Sequence, residues 1–206
     1  MFNDADLIVS AQNWIDADPH RPTQILGQAL LDSNDMETIR EHFATRLKFG
    51  TAGLRGEMGP GPNRMNHLTV RRAAFALAKH LINSDTNVAE LGIVIGFDAR
   101  HGSREFAIET ARVFGALNLP SYLYDDCQPT PVIAHAITHL GAAGGVIVTA
   151  SHNPPKDNGY KVYWGNGAQI IPPHDVRIEA LIDAVDTRSE IAVADFDKLE
   201  TDGLIR

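Results

Sequence analysis

The chain has 206 residues, 44% hydrophobic and 21% charged, enough apolar material for one large domain or a domain plus part of another. Its net charge of −8 excludes the broad basic face of a nucleic-acid binder. No apolar run approaches the roughly 20 residues of a membrane helix, so no membrane association is expected. Cys127 is the only cysteine, which rules out an intrachain disulfide; with the acidic start Met1-Phe2-Asn3-Asp4-Ala5-Asp6, unlike a secretory leader, it points to a cytoplasmic setting. The cations are unevenly placed. Arg46, Lys48, Arg55, Arg64, Arg71 and Arg72 crowd one quarter of an otherwise acidic chain, a pattern suited to a focused site for a small anion. Arg71 and Arg72 are expected on a solvated helix face.

In chain order, helices are predicted over Ala5–Ala17, Pro22–Leu31 and Met36–Thr45, with Trp14, Ile15, Leu26, Leu30 and Phe43 as packing residues. Residues 1–45 thus form a helical extension. Phe49 to Asn66 is rich in glycine and proline and is expected to be a long loop around one short strand. Thr69 is positioned to cap an amphipathic helix carrying Val70, Ala73, Ala74, Leu77, Ala78 and Leu81 on one face. A strand at Leu91–Phe97 leads to a helix capped by Ser103 and running to about Leu117. A strand at Tyr122–Tyr124 follows. Thr130-Pro131 then reads as a cap and first-turn proline for a helix with Val132, Ile133, Ala136, Ile137 and Leu140 on one face. A strand ending at Val148, another at Tyr160–Trp164, and a helix from Asp175 to Val185 complete the alternation. The predicted class is an α/β three-layer domain with a mixed, mostly parallel sheet between helices, spanning residues 46–186. Residues 187–206 read as a linker or the start of a further domain.

The most informative stretch is Gly144-Gly145-Val146-Ile147-Val148-Thr149-Ala150-Ser151-His152-Asn153-Pro154. A buried β-branched run stops at small and polar residues, presenting Ser151 just past the carboxyl end of a strand, where open α/β sheets hold ligands. A serine hydroxyl is a weak nucleophile unless a base takes its proton or it already carries a group. His152 adjoins it, yet neighbours on an extended segment point to opposite sides. The G-x-S-x-G elbow of a hydrolase is absent, because Thr149 and Asn153 stand at the glycine positions. A phosphoryl carrier fits better, provided cations such as Arg55, Lys161 and His152 come close. In Phe49-Gly50-Thr51-Ala52-Gly53-Leu54-Arg55-Gly56, glycines around one arginine let the backbone approach an anion that the guanidinium grips. Taken alone, that loop is equally a surface loop with a solvated Arg55.

Thr149-Ala150-Ser151-His152-Asn153-Pro154 followed by Asn158-Gly159-Tyr160-Lys161 resembles the phosphoserine signature of the α-D-phosphohexomutases. Phe49 to Gly56 is similar to that family's amino-terminal loop. Gly96-Phe97-Asp98-Ala99-Arg100 and Pro129-Thr130-Pro131 stand in family order. Asn63-Arg64-Met65-Asn66 and Tyr163-Trp164-Gly165-Asn166-Gly167-Ala168-Gln169-Ile170 resemble the branch containing phosphopentomutases and related phosphoglucomutases. The motifs lie in one order over about residues 46 to 186, and the extension before them carries none.

The resemblance implies that Ser151 carries the transferred phosphoryl and, through it, one ligand of Mg²⁺. It also implies that Arg55 and Lys161 contact the phosphoserine, with Lys161 helping in proton transfer, and that His152 and Asn153 hydrogen-bond near it. Arg64 is a phosphate candidate or a loop-holding residue. The implied substrates are a sugar monophosphate and its bisphosphate. Family members complete the Mg²⁺ site with an aspartate-rich loop of their second domain. Asp195-Phe196-Asp197 lacks the arginine and context for that role, so the remaining ligands and the other mutase domains are expected outside this chain, which is then inactive alone. Two rival readings are a catalytically silent phosphosugar-binding module and a serine hydrolase, the latter disfavoured by the missing elbow and the missing acid partner. Asp98 and Arg100 either line the cleft or anchor a loop. His135 and His139 are read as solvated or packing residues, Trp14 and Trp164 as packing residues, and Cys127, without an activating neighbour, as inert.

Overall fold

Strands that bury both faces need helices above and below, and the central strands here are apolar at every position. A computed structural model describes residues 3–84, 87–185 and 191–206. Helices α1 (Asp4–Ala17), α2 (Arg21–Asp32) and α3 (Met36–Phe43) open the chain and are followed by β1 (Leu54–Glu57) and α4 (His67–Asn83). A short helix α5 (Val88–Leu91) leads into β2 (Ile93–Phe97), α6 (Ser103–Ala116), β3 (Ser121–Leu123) and α7 (Thr130–Leu140). The chain then forms β4 (Gly144–Val148), β5 (Asp157–Trp164), α8 (His174–Ala184) and α9 (Phe196–Thr201). Among the described residues, no helix is long and apolar enough to cross a membrane.

The five strands form one sheet in the order β1-β5-β4-β2-β3. β2 pairs parallel with β3 and with β4, whereas β5 pairs antiparallel with β4 and with β1. The mixed α/β layering is as expected, with the pairings evenly divided between the two directions. Alternation along the strands divides the core. Ile93, Ile95, Val146, Val148, Tyr160 and Val162 face α4, α6 and α8, while Val94 and Ile147 face Ile133 and Ile137 of α7.

The first three helices keep a small core of their own, built from Leu7, Ala11, Trp14, Ile15, Ile39 and Phe43 and closed by Leu68 of α4. Arg72 ties this unit to the rest. Its guanidinium lies 5.4 Å from the Trp14 ring centroid and donates to the Ile182 and Val185 carbonyls at 3.1 and 2.9 Å. Arg71 pairs with the buried Glu109. The expectation of a solvated face for both arginines is therefore corrected, because α4 is covered on nearly all sides by α6, α8 and the extension. Leu26 is 56% exposed, and Val132 and Leu140 also face outward, so these three leave the predicted packing sets.

Three predicted caps shift by a few residues. Asn66 caps α4 by accepting the Thr69 N–H, Gly102 in the left-handed region precedes α6, and Pro129 precedes α7. Leu91 closes the short helix α5 instead of opening β2, and β5 begins at Asp157, three residues earlier than predicted. Residues 186–190 lie outside the described residues. From Ile191 the tail packs back on the core: Leu199 of α9 is buried over Gly115 of α6, and Ile205 bridges to Ser121. Leu199→Ala is expected to lower the unfolding free energy by about 2–4 kcal/mol, read as a lower urea midpoint. A loose tail would leave the midpoint unmoved.

Candidate active site

Two strand pairings bring the predicted cations together. Arg55 on β1 stands opposite Gly159 on β5, and Lys161 on β5 stands opposite Ile147 on β4. Gly159 and Lys161 are two apart and share a face, and cross-strand partners share a face too. Arg55 and Lys161 therefore project from the α7 side of the sheet. That helix packs over β2 and β4, so the two cations stand lateral to it on β1 and β5. Two glycines permit this. Gly53 has φ +74°, and a Cβ there would fall 1.9 Å from the Tyr160 carbonyl oxygen. A Cβ at Gly159 would fall 2.6 Å from the Thr149 carbonyl oxygen and 3.1 Å from Arg55 Cγ, blocking the arginine stem.

Burial without a partner distinguishes this pair from the other cations. Arg46 pairs with Glu179 and Asp183, Arg64 with Glu41, Arg71 with Glu109, and Lys156 with Glu57. Among the described residues, the side chains of Arg55 and Lys161 donate to nothing, and Arg55 Nε is fully buried without a partner. Lys161 is 7% exposed. Burial pushes its ammonium below the usual lysine range, the neighbouring Arg55 guanidinium pushes the same way, and Asp98 opposes both. The Tyr163 hydroxyl on the same face is raised by burial and lowered by Arg55. Two adjacent cations with no ion pair of their own among the described residues form a ready site for a doubly charged ligand.

Ser151 lies on the turn after β4 with an exposed side chain and φ +60°. For a residue with a Cβ, this left-handed backbone costs of order 1–2 kcal/mol. The turn is held from several directions. Thr149 Oγ1 accepts the Ser151 N–H at 2.9 Å, and the Ala150 carbonyl accepts the Asn153 N–H at 3.1 Å. The Asn153 amide donates to Asp157 at 2.9 Å. The fully buried Asn158 donates to the His101 carbonyl and to Ser103 Oγ, and accepts the Gly159 N–H.

Arg55 and Lys161 thus share one sheet face beside the strand that ends in the Ser151 turn. His152 is exposed next to Ser151, and Asn153 is half-buried. Arg64 has a different setting. Its guanidinium is engaged at 2.5 Å with Glu41 of α3 and at 3.0 Å with its own loop carbonyl at Asn63, so it joins the extension to the 58–66 loop. Asp98 and Arg100 anchor loops: Asp98 Oδ1 accepts the Arg100 N–H and the Ser103 hydroxyl, and Arg100 donates to the Ser151 carbonyl and to carbonyls further along that loop. Sequence reasoning missed Thr149 and Asn158 as supports of the turn. The Thr149-x-Ser151 spacing is a side-chain-to-backbone turn signal that could have found the first. Among the described residues, no cluster of three or more His, Cys, Asp or Glu side chains is arranged to hold a metal ion.

Residues 46–189 match the family model described as phosphoglucomutase/phosphomannomutase, alpha/beta/alpha domain I. The chain belongs to this family of sugar-phosphate mutases and carries its first domain. It is 41% identical over 186 residues to a phosphopentomutase of Homo sapiens, covering 87% of this chain and 30% of that protein. It is 42% identical over 174 residues to a phosphoribomutase of Saccharomyces cerevisiae, covering 83% of this chain and 28% of that protein. The crystal structure of a Thermus Thermophilus protein assigned as a phosphomannomutase superposes with a TM-score of 0.63 at 30% identity, covering 74% of this chain and 32% of the other. The chain spans under a third of the length of these relatives.

The folded-state pKa of Lys161 lies below that of the unfolded chain, so the unfolded state binds more protons in the interval between them. Lys161 thereby makes stability rise with pH from its lowered value up to the ordinary lysine value of 10.5. Lys161→Met is expected to raise the urea midpoint at pH 7 and to flatten that alkaline rise. A lower midpoint at pH 7 would show that the ammonium is well paired instead.

Proposed function

We propose that this chain is the phosphoserine-bearing domain of a sugar-phosphate mutase. The observation that carries the reading is the partnerless pair Arg55 and Lys161 beside the strand that delivers Ser151. In the first half-reaction the P–O bond to Ser151 Oγ breaks and a new P–O bond forms to a free hydroxyl of a sugar monophosphate. The sugar hydroxyl loses its proton, Ser151 Oγ gains one, and a bisphosphate results. After that intermediate turns around, its other phosphoryl group returns to Ser151.

Phosphoryl transfer depends on positioning and on neutralising charge over the transferred group. Arg55 supplies a planar fork for two phosphoryl oxygens. Lys161 supplies a second cation, and its lowered pKa suits it to exchange a proton at Ser151 Oγ. His152 and Asn153 donate hydrogen bonds to the same group from the turn. The names of the relatives, phosphopentomutase and phosphoribomutase, support a pentose phosphate as substrate. The residues present do not by themselves fit a magnesium site. Among the described residues, the Ser151 oxygen, through its phosphoryl group, is the one ligand on offer, so Mg²⁺ binding needs ligands from the remaining domains.

Exposure of the purified chain to ribose 1,5-bisphosphate, in the presence of the separately produced remaining domains and Mg²⁺, is expected to add the mass of one phosphoryl group, mapped to Ser151. Ser151→Ala abolishes the addition, and Arg55→Met slows it by at least about a hundredfold. Bisphosphate binding without any transfer would favour the silent binding module. Stoichiometric labelling of Ser151 by a fluorophosphonate would favour the hydrolase.

A further inference from the structure

Arg100 lies just past the carboxyl end of β2 and reaches across to the 149–158 segment. Its Nη1 donates to the Pro154 and Asp157 carbonyls at 2.8 and 3.0 Å. Its Nη2 donates to the Ser151 and Asn153 carbonyls at 3.0 and 2.7 Å. Nε sits 3.4 Å from Asp98 Oδ2, and the same carboxylate holds the Arg100 N–H and the Ser103 hydroxyl. A guanidinium has five N–H donors. All four on its terminal nitrogens are used on main-chain oxygens of one loop, and Nε lies beside a carboxylate that is itself fixed.

This arrangement dictates what the loop shows on its other side. A trans peptide points its C=O and N–H in opposite directions. With the Ser151 carbonyl drawn to Arg100, the His152 N–H is turned away from it, and that N–H has no partner among the described residues. The carbonyls of Asn153 and Pro154 belong to peptide bonds with Pro154 and Pro155, which carry no N–H at all. The negative ends of the loop dipoles are thus gathered on one cation, and a free donor faces the opposite way. Without the guanidinium, the Ser151 and Asn153 carbonyls lose the donor that holds them away from a neighbouring anion, while the Pro154 carbonyl keeps the Asp157 N–H. The Ser151 peptide could then leave its left-handed conformation, and the hydroxyl would move with it.

We propose that Arg100 is a positioning residue for group transfer at Ser151: by collecting four carbonyl oxygens of the serine loop it holds the Ser151 backbone at φ +60° and turns the His152 N–H toward the phosphoryl group. The phosphoryl half of this statement rests on the function proposed above, whereas the clamp on the loop does not. Lysine keeps the charge but has three donors on a tetrahedral nitrogen and cannot span four carbonyls. A role in charge alone would be rescued by lysine, and a positioning role would not.

The test compares the 206-residue chain with Arg100→Lys by amide NMR, following a titration with inorganic phosphate. The variant is expected to keep its signals outside 98–103 and 149–158, to shift those of Ser151 and His152, and to bind phosphate at least about tenfold more weakly at unchanged net charge. Loop signals left in place, or wild-type phosphate affinity despite displaced signals, would overturn the proposal. A wild-type chain that binds no phosphate would count against the phosphoserine reading, while the loop signals alone still decide the clamp. Should Arg100→Lys fail to fold, the wild-type Arg100 side chain decides. Four separate, exchange-protected Nη–H signals are expected, and one averaged signal overturns the idea.

Discussion

The constraint on which the site depends is the antiparallel seating of β5 between β4 and β1. That strand receives Arg55 from one neighbour across Gly159 and sets its own Lys161 beside the other, on the same face. A slip of one residue in either pairing would turn a cation to the opposite face, against the core of α4, α6 and α8. The register is held by the apolar residues that alternate with the functional ones. Leu54, Tyr160, Val162, Val146 and Val148 are all buried on the α6 side, so hydrophobic burial on one face fixes where charge appears on the other.

The site is unfavourable in isolation, and the rest of the molecule supports it. Two neighbouring cations that share no ion pair repel, and one of them is buried. Ser151 holds a backbone conformation that a residue with a Cβ avoids. Both conditions persist because they are bordered by rigid elements, namely a fully buried β4 and an Asn158 side chain with every polar atom engaged. Cost concentrated at one place, with satisfied polar groups and packed strands around it, is the usual character of a functional site.

Much of this was legible in the chain itself. The β-branched run broken at Thr149-Ala150-Ser151 announced the strand and the turn, and the glycines around Arg55 announced a backbone making a close approach. Cap positions were less legible. Thr69, Ser103 and Thr130 are good capping residues by type, yet Asn66, Gly102 and Pro129 stand in the cap positions. Several capping residues within one turn compete, and the winner depends on the direction from which the chain enters. The fates of Arg71, Arg72 and Leu26 were also hidden, since helical periodicity tells which side faces the nearest core but not whether a second layer covers the other side. For Arg72 that second layer is Trp14, which belongs to a cluster with its own small core.

For Arg100 the sequence offered a loop anchor as one of two alternatives but not which loop it holds, and the reason is physical. Its partners are main-chain carbonyls, which every residue possesses, so no pairing of residue types betrays the contact. What distinguishes it is geometry that only the folded chain supplies: β2 and β4 are adjacent and parallel, so their carboxyl ends emerge side by side. A long planar cation leaving one of them meets the loop leaving the other. The same adjacency that places ligands at the carboxyl edge of an α/β sheet thus also provides the means to hold the ligand-binding loop rigid. Asp98 completes the logic, because a carboxylate fixed by Ser103 and by the Arg100 N–H aims the guanidinium before it reaches the loop. Preorganisation at Ser151 is therefore built from the neighbouring strand, distant in sequence and adjacent in space.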